Sequence, residues 1–150
     1  MYDAKLVAKH IIDYSNSNNC GISNLKLQKV LYFVQAEFLV SKPDHSPCFA
    51  DDIEAWDFGP VVPTVYHQYK VYGRASIPSS KSGRTFGYNG AQKISNADQR
   101  IINNMVDKLQ DYSASTLVRV THAQDPWQKA YMCGYNNKIT NQSIIEFFGE

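Results

Sequence analysis

The sequence lacks the features that mark a membrane protein or a secreted, disulfide-bonded one. It contains no run of about 18 apolar residues, so no segment is predicted to span a bilayer. Asp3 and Lys5 interrupt what would be the hydrophobic part of a signal peptide, which argues against a leader there. Only three cysteines occur, at Cys20, Cys48 and Cys133, and this odd, scattered set indicates reduced thiols. We therefore expect a cytoplasmic protein.

Sequence signatures of metal binding and catalysis are also missing. No two of the four histidines are four residues apart and no Cys-x-x-Cys occurs, so the spacing of zinc ligands is absent. Neither a Gly-x-Ser-x-Gly elbow nor a phosphate-binding glycine loop after a strand is present. The net charge of +1 gives no overall attraction to nucleic acid or to anionic lipid. We therefore predict a protein that is not an enzyme, needs no metal or cofactor, and does not bind membranes.

Charge is nevertheless unevenly distributed in the middle of the chain. The basic segment 70–93 contains no acidic residue, so it could bind nucleic acid or an acidic partner, or simply be solvated. Its part 74–93 is rich in Ser and Gly, which predicts a loop-rich segment with a weak hairpin near 86–88. Four carboxylates stand just before this region and could neutralise it: Asp51, Asp52, Glu54 and Asp57.

Most of the remaining chain has apolar residues at three- and four-residue steps, which predicts helices. Short strands at 48–49 and 53–56 would add a small accessory hairpin. We therefore expect a mainly α, single compact domain over residues 1–150 with six or seven helices. The first two predicted helices cover 3–14 and 24–40, and the third starts between Pro60 and Pro63 and is ended by Gly73. A fourth runs from Ser95 to 112, and a short fifth runs from Ser113 or Ser115 to 121–122. A sixth is opened by Asp125 and Pro126 and ended by Gly134, and the last is capped by Thr140.

The helix over 24–40 is apolar on most sides, which predicts that it lies at the centre of the domain. Lys29 stands in the middle of this helix. Its amine could extend to water while its stem packs on apolar neighbours. It could instead reach a buried carboxylate such as Glu54 or Asp57. The sequence leaves both interpretations open.

The stretch 54–73 combines a large aromatic residue, a rigid turn and a helix with a tyrosine-rich face. Pro60 disfavours the helical conformation for Gly59, so the chain turns there before the helix begins. The protein has ten tyrosines, and part-exposed tyrosines are frequent anchors in protein interfaces. The stretch therefore supplies candidate partner-binding residues, namely Trp56, Tyr66, His67 and Tyr69.

A second group of candidates stands between two predicted helices, where Thr121 and His122 precede Asp125, Pro126 and Trp127. These residues could form a polar cluster that binds a ligand or partner. We favour the interpretation that His122 and Asp125 satisfy backbone groups at helix ends, because such ends need caps. His122 and Trp127, together with Lys29, complete the set of candidate partner-binding residues.

Several blocks of this sequence, taken in order, resemble the Panacea domain family. The first is residues 25–33, Leu-Lys-Leu-Gln-Lys-Val-Leu-Tyr-Phe. The next are Glu-Ala-Trp at 54–56 and Gly-Pro-Val-Val-Pro-Thr-Val-Tyr at 59–66. Leu-Val-Arg-Val-Thr-His at 117–122 and Pro-Trp at 126–127 complete the resemblance. The family includes SocA-like antitoxins and phage-associated GepA-like proteins.

The resemblance implies an antitoxin that is encoded beside a toxin and neutralises that toxin by direct protein contact. It also implies a possible role as an adaptor that delivers the toxin to a protease. No catalytic residues of the family can be carried over. The alternative is a phage- or prophage-associated accessory protein that binds a small molecule or nucleic acid. A small-molecule site would require four side chains to converge in one pocket: Lys29, Glu54, Asp57 and His122.

Overall fold

The computed structural model describes residues 1–79 and 92–149. Within these residues the chain forms seven α-helices and a three-stranded sheet, which confirms the predicted mainly α fold with a small accessory hairpin. The helices are α1 (Ala4–Ser17), α2 (Asn24–Ser41), α3 (Pro63–Tyr69), α4 (Asn96–Leu109), α5 (Ala114–His122), α6 (Asp125–Ala130) and α7 (Asn141–Phe148). The strands are β1 (Ile53–Trp56), β2 (Gly59–Val61) and β3 (Lys138–Ile139), and a 3-10 helix (Lys70–Tyr72) follows α3.

Side-chain caps begin five of the helices, because the first N–H groups of a helix have no acceptor within it. The capping residues are Asp3, Ser23, Ser95, Ser113 and Thr140. The prediction for α6 was wrong at both ends. Asp125 is the first helical residue and not the cap, and the helix ends at Ala130 and not at Gly134. Asn137 Nδ2 donates to the carbonyl oxygen of Ala130, which satisfies the end of the helix there.

The central strand of the sheet is β1, which pairs antiparallel with β2 on one side and with β3 on the other. The predicted strand at 48–49 was wrong. Phe49 makes only an isolated bridge with Tyr2. The side chain of Gln35 takes up the backbone of this segment, because its Oε1 accepts from the N–H groups of Cys48 and Phe49 and its Nε2 donates to the carbonyl of Phe49. The strand that forms the hairpin with β1 is β2 instead.

Helix α2 lies at the centre of the fold, as predicted, and contacts α1, α3, α4, α5, α7 and β2. Its apolar side chains are almost fully buried, and each contributes about 1.5–3 kcal/mol of transfer free energy. They include Leu27, Val30, Leu31, Val34, Phe38 and Leu39. A helix buried on nearly all sides has no wide solvent-facing stripe, which explains why its apolar residues lie on most of its faces.

Polar side chains of α2 are buried among these apolar ones, and they bond to the backbone of other segments. Such bonds satisfy backbone groups of β2, of α3 and of Val62 between them. They therefore fix the path of the chain from β2 into α3. The bonds run from Lys29 Nζ to Pro60 O at 2.9 Å, from Val62 N to Gln28 Oε1 at 2.9 Å, and from Asn24 Nδ2 to Tyr66 O at 3.1 Å.

The loop-rich segment predicted at 74–93 is described only at its two ends. Residues 74–79 and 92–95 contain no helix and no strand of the sheet, although Ser76 forms an isolated bridge with Ser23. The weak hairpin predicted near 86–88 lies outside the described residues. No helix in the described part of the chain is long and apolar enough to cross a bilayer.

Candidate functional site

A groove of about 530 Å³ opens beside the β1–β2 turn. Its walls come from that turn, from the end of α3 with the 3-10 helix, and from the loop after α6. Its volume lies in the range of about 300–1,000 Å³ that is usual for binding pockets. Residues that line it include Leu25, Trp56, Phe58, Tyr66, Lys70 and Tyr135.

Trp56 and Tyr66 form one aromatic wall of this groove. The Trp56 ring meets the Tyr66 ring edge-on, with 5.0 Å between the ring centroids. Trp56 Nε1 donates to Glu54 Oε1 at 2.9 Å, which fixes the orientation of the indole. The exposed ring of His67 lies beside both aromatic rings. Two predicted partner-binding residues therefore line the groove and a third lies at its side.

The Gly59–Pro60 backbone lies directly on two buried side chains. Gly59 has φ of +104°, and a Cβ added there would lie 2.7 Å from Lys29 Cε and 2.9 Å from Thr121 Oγ1. Thr121 is itself held in α5, because its hydroxyl donates to the carbonyls of Leu117 and Val118. Only glycine has both the conformational freedom and the small size that this contact needs. Helix α2, the β1–β2 hairpin and helix α5 thus meet at Gly59.

Lys29 adopts neither of the two arrangements considered from the sequence. Its side chain is 0% exposed, and its Nζ donates to the carbonyl oxygen of Pro60 and not to a carboxylate. Burial without an opposite charge lowers the pKa of Lys29 to about 7. The side chain supports the turn from within and presents no surface to a partner.

A stack of three aromatic rings supports the turn from its other side. Trp127 stacks on His122 at 4.1 Å and on Tyr131 at 4.4 Å between ring centroids. Trp127 Nε1 donates to the carbonyl oxygen of Trp56 at 2.8 Å. The Tyr131 hydroxyl donates to the carboxylate of Asp57, which raises the pKa of Tyr131 to about 12. Trp127 is therefore a positioning residue for the turn.

The side chain of His122 does not act as the helix cap that we favoured from the sequence. Its ring packs on Trp127, and its buried Nε2 has no hydrogen-bond partner among the described residues. The backbone carbonyl of His122 accepts from Gln128 Nε2. Asp125 lies 3.9 Å from the Nζ of Lys129 one turn further along α6.

The four polar residues considered for a small-molecule site do not converge. Lys29 is bonded to backbone inside the protein, Glu54 holds Trp56, and His122 lies in the aromatic stack. Asp57 lines the groove without the other three, and its carboxylate accepts from Tyr131. In the residues that the structure describes, no group of three or more His, Cys, Asp or Glu side chains could hold a metal ion.

Tyr69 is half-buried and packs against the hydrophobic core, and this burial raises the pKa of its hydroxyl to about 12. Sequence reasoning instead missed two large, exposed aromatic residues of the groove. Phe58 is 67% exposed at the tip of the hairpin, and Tyr135 is 63% exposed on the loop after α6. The available signal was a large apolar residue in a two-residue hairpin turn, where polar residues and glycine are usual.

Comparison with known proteins identifies the family of this chain, which the geometry alone does not. Residues 27–128 match the family described as antitoxin SocA-like, Panacea domain. This chain belongs to that family. Antitoxin SocA of Caulobacter vibrioides (strain NA1000 / CB15N) is 37% identical over 131 residues, which cover 83% of this chain and 68% of that protein. No solved structure matches the chain.

The SocA-like region contains the structural contact described above but only part of the groove. Lys29, Gly59 and Thr121 all lie within residues 27–128, and so does Trp127. The groove wall at Tyr135 lies beyond the matched region. The site therefore combines a turn that lies inside the family match with a loop outside it.

We predict that Gly59→Ala destabilises the fold more than Gly134→Ala does. Both glycines have positive φ, but a Cβ at Gly134 would meet no atom within 4 Å. Strain together with overpacking should lower the free energy of unfolding by about 2–5 kcal/mol for Gly59→Ala. Strain alone should cost about 1–2 kcal/mol for Gly134→Ala. Urea unfolding of both variants measures the difference, and equal losses would show that the Lys29–Gly59 contact is not tight.

We also predict that the stability advantage of Lys29 depends on pH. The pKa of Lys29 is about 7 in the folded protein, against an ordinary 10.5. Between these values the unfolded chain binds a proton that the folded chain does not, so the free energy of unfolding rises with pH. Relative to Lys29→Met, the wild type should gain up to about 1.4 kcal/mol per pH unit across this window. Denaturant unfolding at several pH values tests this, and a difference independent of pH would contradict it.

Proposed function

We propose that this protein is an antitoxin that neutralises a cognate toxin protein by direct contact. The observation that carries the proposal is the family match over residues 27–128, together with the 37% identity to Antitoxin SocA. Under this proposal the cognate toxin is the protein encoded by the neighbouring gene. The chain acts by binding and does not transform a substrate.

The surface of the groove supports a role in protein binding. Large apolar side chains on the segments that form it are exposed to solvent, with Val71 at 81% in addition to Phe58 and Tyr135. Clustered exposed apolar residues mark interaction sites more often than single ones do. Aromatic residues are also enriched among the residues that dominate binding energy at interfaces.

Two modes of neutralisation fit this proposal. In simple sequestration, the bound toxin is inactive and its cellular level is unchanged or higher. In adaptor-mediated delivery, binding directs the toxin to a protease and its level falls. The two modes differ in the lifetime of the toxin after synthesis stops, which a chase experiment measures with and without this protein.

The direct test is co-expression of this chain with the product of the adjacent gene. We expect growth to be rescued and the two proteins to co-purify as a complex. An inactive toxin variant allows the complex to be isolated even where rescue depends on degradation. If the neighbouring product is toxic and neither rescue nor co-purification occurs, the antitoxin proposal is wrong.

A further inference from the structure

The exposed apolar residues around the groove come from three separate segments of the chain. Phe58 is at the hairpin tip, Val71 and Tyr72 lie on the 3-10 helix, and Met132 and Tyr135 lie on the loop after α6. Each of these segments also contributes residues that line the groove. Phe58 and Tyr135 line the groove themselves, whereas Val71, Tyr72 and Met132 lie on the segments that border it.

The charge at one wall of the groove is positive. Lys70 lines the groove and Arg74 follows it four residues later, and both are exposed. Neither forms an ion pair with a carboxylate in the described parts of the chain, whereas Lys138 pairs with Asp52 and Lys129 with Asp125. Asp57 also lines the groove, and its carboxylate accepts a hydrogen bond from Tyr131. Lys70 therefore supplies a cation beside the aromatic walls that has no ion-pair partner among the described residues.

We propose that this groove receives a segment of the cognate toxin that carries a large apolar side chain next to a carboxylate. The inference rests on the proposed antitoxin function and adds the contact surface and the chemistry of the partner. The apolar side chain packs between Trp56, Phe58 and Tyr135, where it removes exposed aromatic surface from water. The carboxylate faces Lys70, and this charge complementarity sets the orientation of the segment.

The groove is formed before the partner arrives. Lys29 and Gln28 hold the backbone at Pro60 and Val62, and Trp127 holds the carbonyl of Trp56. A wall fixed by buried hydrogen bonds loses little conformational entropy on binding. A short toxin segment can therefore bind with useful affinity without reordering this part of the chain.

The experiment measures affinity for an inactive variant of the toxin encoded by the adjacent gene. Phe58→Ala and Tyr135→Ala remove two walls of the groove, and each should weaken binding by about tenfold or more. Their matched controls are Phe147→Ala and Tyr112→Ala, which replace exposed residues of the same types that do not line the groove. The controls should change the affinity less than about twofold.

Charge reversal tests the second element of the inference. Lys70→Glu should slow association and weaken binding, and this loss should shrink as salt rises from about 0.05 M to about 0.5 M. Lys108→Glu, at an exposed position of α4, is the control and should have a much smaller effect. An equal loss from both substitutions would show that only the net charge matters and would overturn the specific role of Lys70.

The outcomes separate this inference from the function on which it depends. If the wild type does not bind the toxin, the antitoxin proposal and the groove both fail. If the wild type binds and the groove variants bind equally well, the antitoxin proposal stands and the groove is wrong. Phe58 and Tyr135 are exposed, so we expect both alanine variants to fold. Thermal unfolding confirms this before the affinities are interpreted.

Discussion

The hydrogen bond from Lys29 Nζ to the carbonyl oxygen of Pro60 ties the central helix to the hairpin turn beside the groove. It places an amine at the centre of an apolar helix, where burial opposes charge and lowers the pKa of the group. The lysine fixes the turn from within the core, together with Gln28, which accepts a hydrogen bond from Val62 N. Gly59 lies against the lysine stem, and Thr121 closes the contact from α5.

The position of this turn determines where the aromatic side chains of the groove lie. Above it, Trp56 and Phe58 project toward the groove, and the Trp127 stack prevents the hairpin from moving away from α6. Buried polar groups thus hold exposed apolar groups in place. Residues within the SocA-like match hold the hairpin turn in position, while Tyr135, outside that match, supplies another wall of the groove.

Local features were predictable from the sequence and long-range ones were not. The helix periods depend on residues a few positions apart, so they could be read directly from the sequence. The backbone at 48–49 that we had assigned to a strand is instead bonded to the side chain of Gln35, a contact between residues 13 and 14 positions apart. The acceptor for Lys29 is a backbone carbonyl 31 residues away, and side-chain chemistry alone does not identify such a partner.

Hydrogen–deuterium exchange, measured on this chain alone and in complex with the proposed toxin partner, tests whether the groove binds that partner. We predict slower exchange on binding in the segments 56–62, 70–73 and 132–136, with little change in the already protected α2. Slower exchange confined to α4 or α7, with those three segments unchanged, would contradict the account.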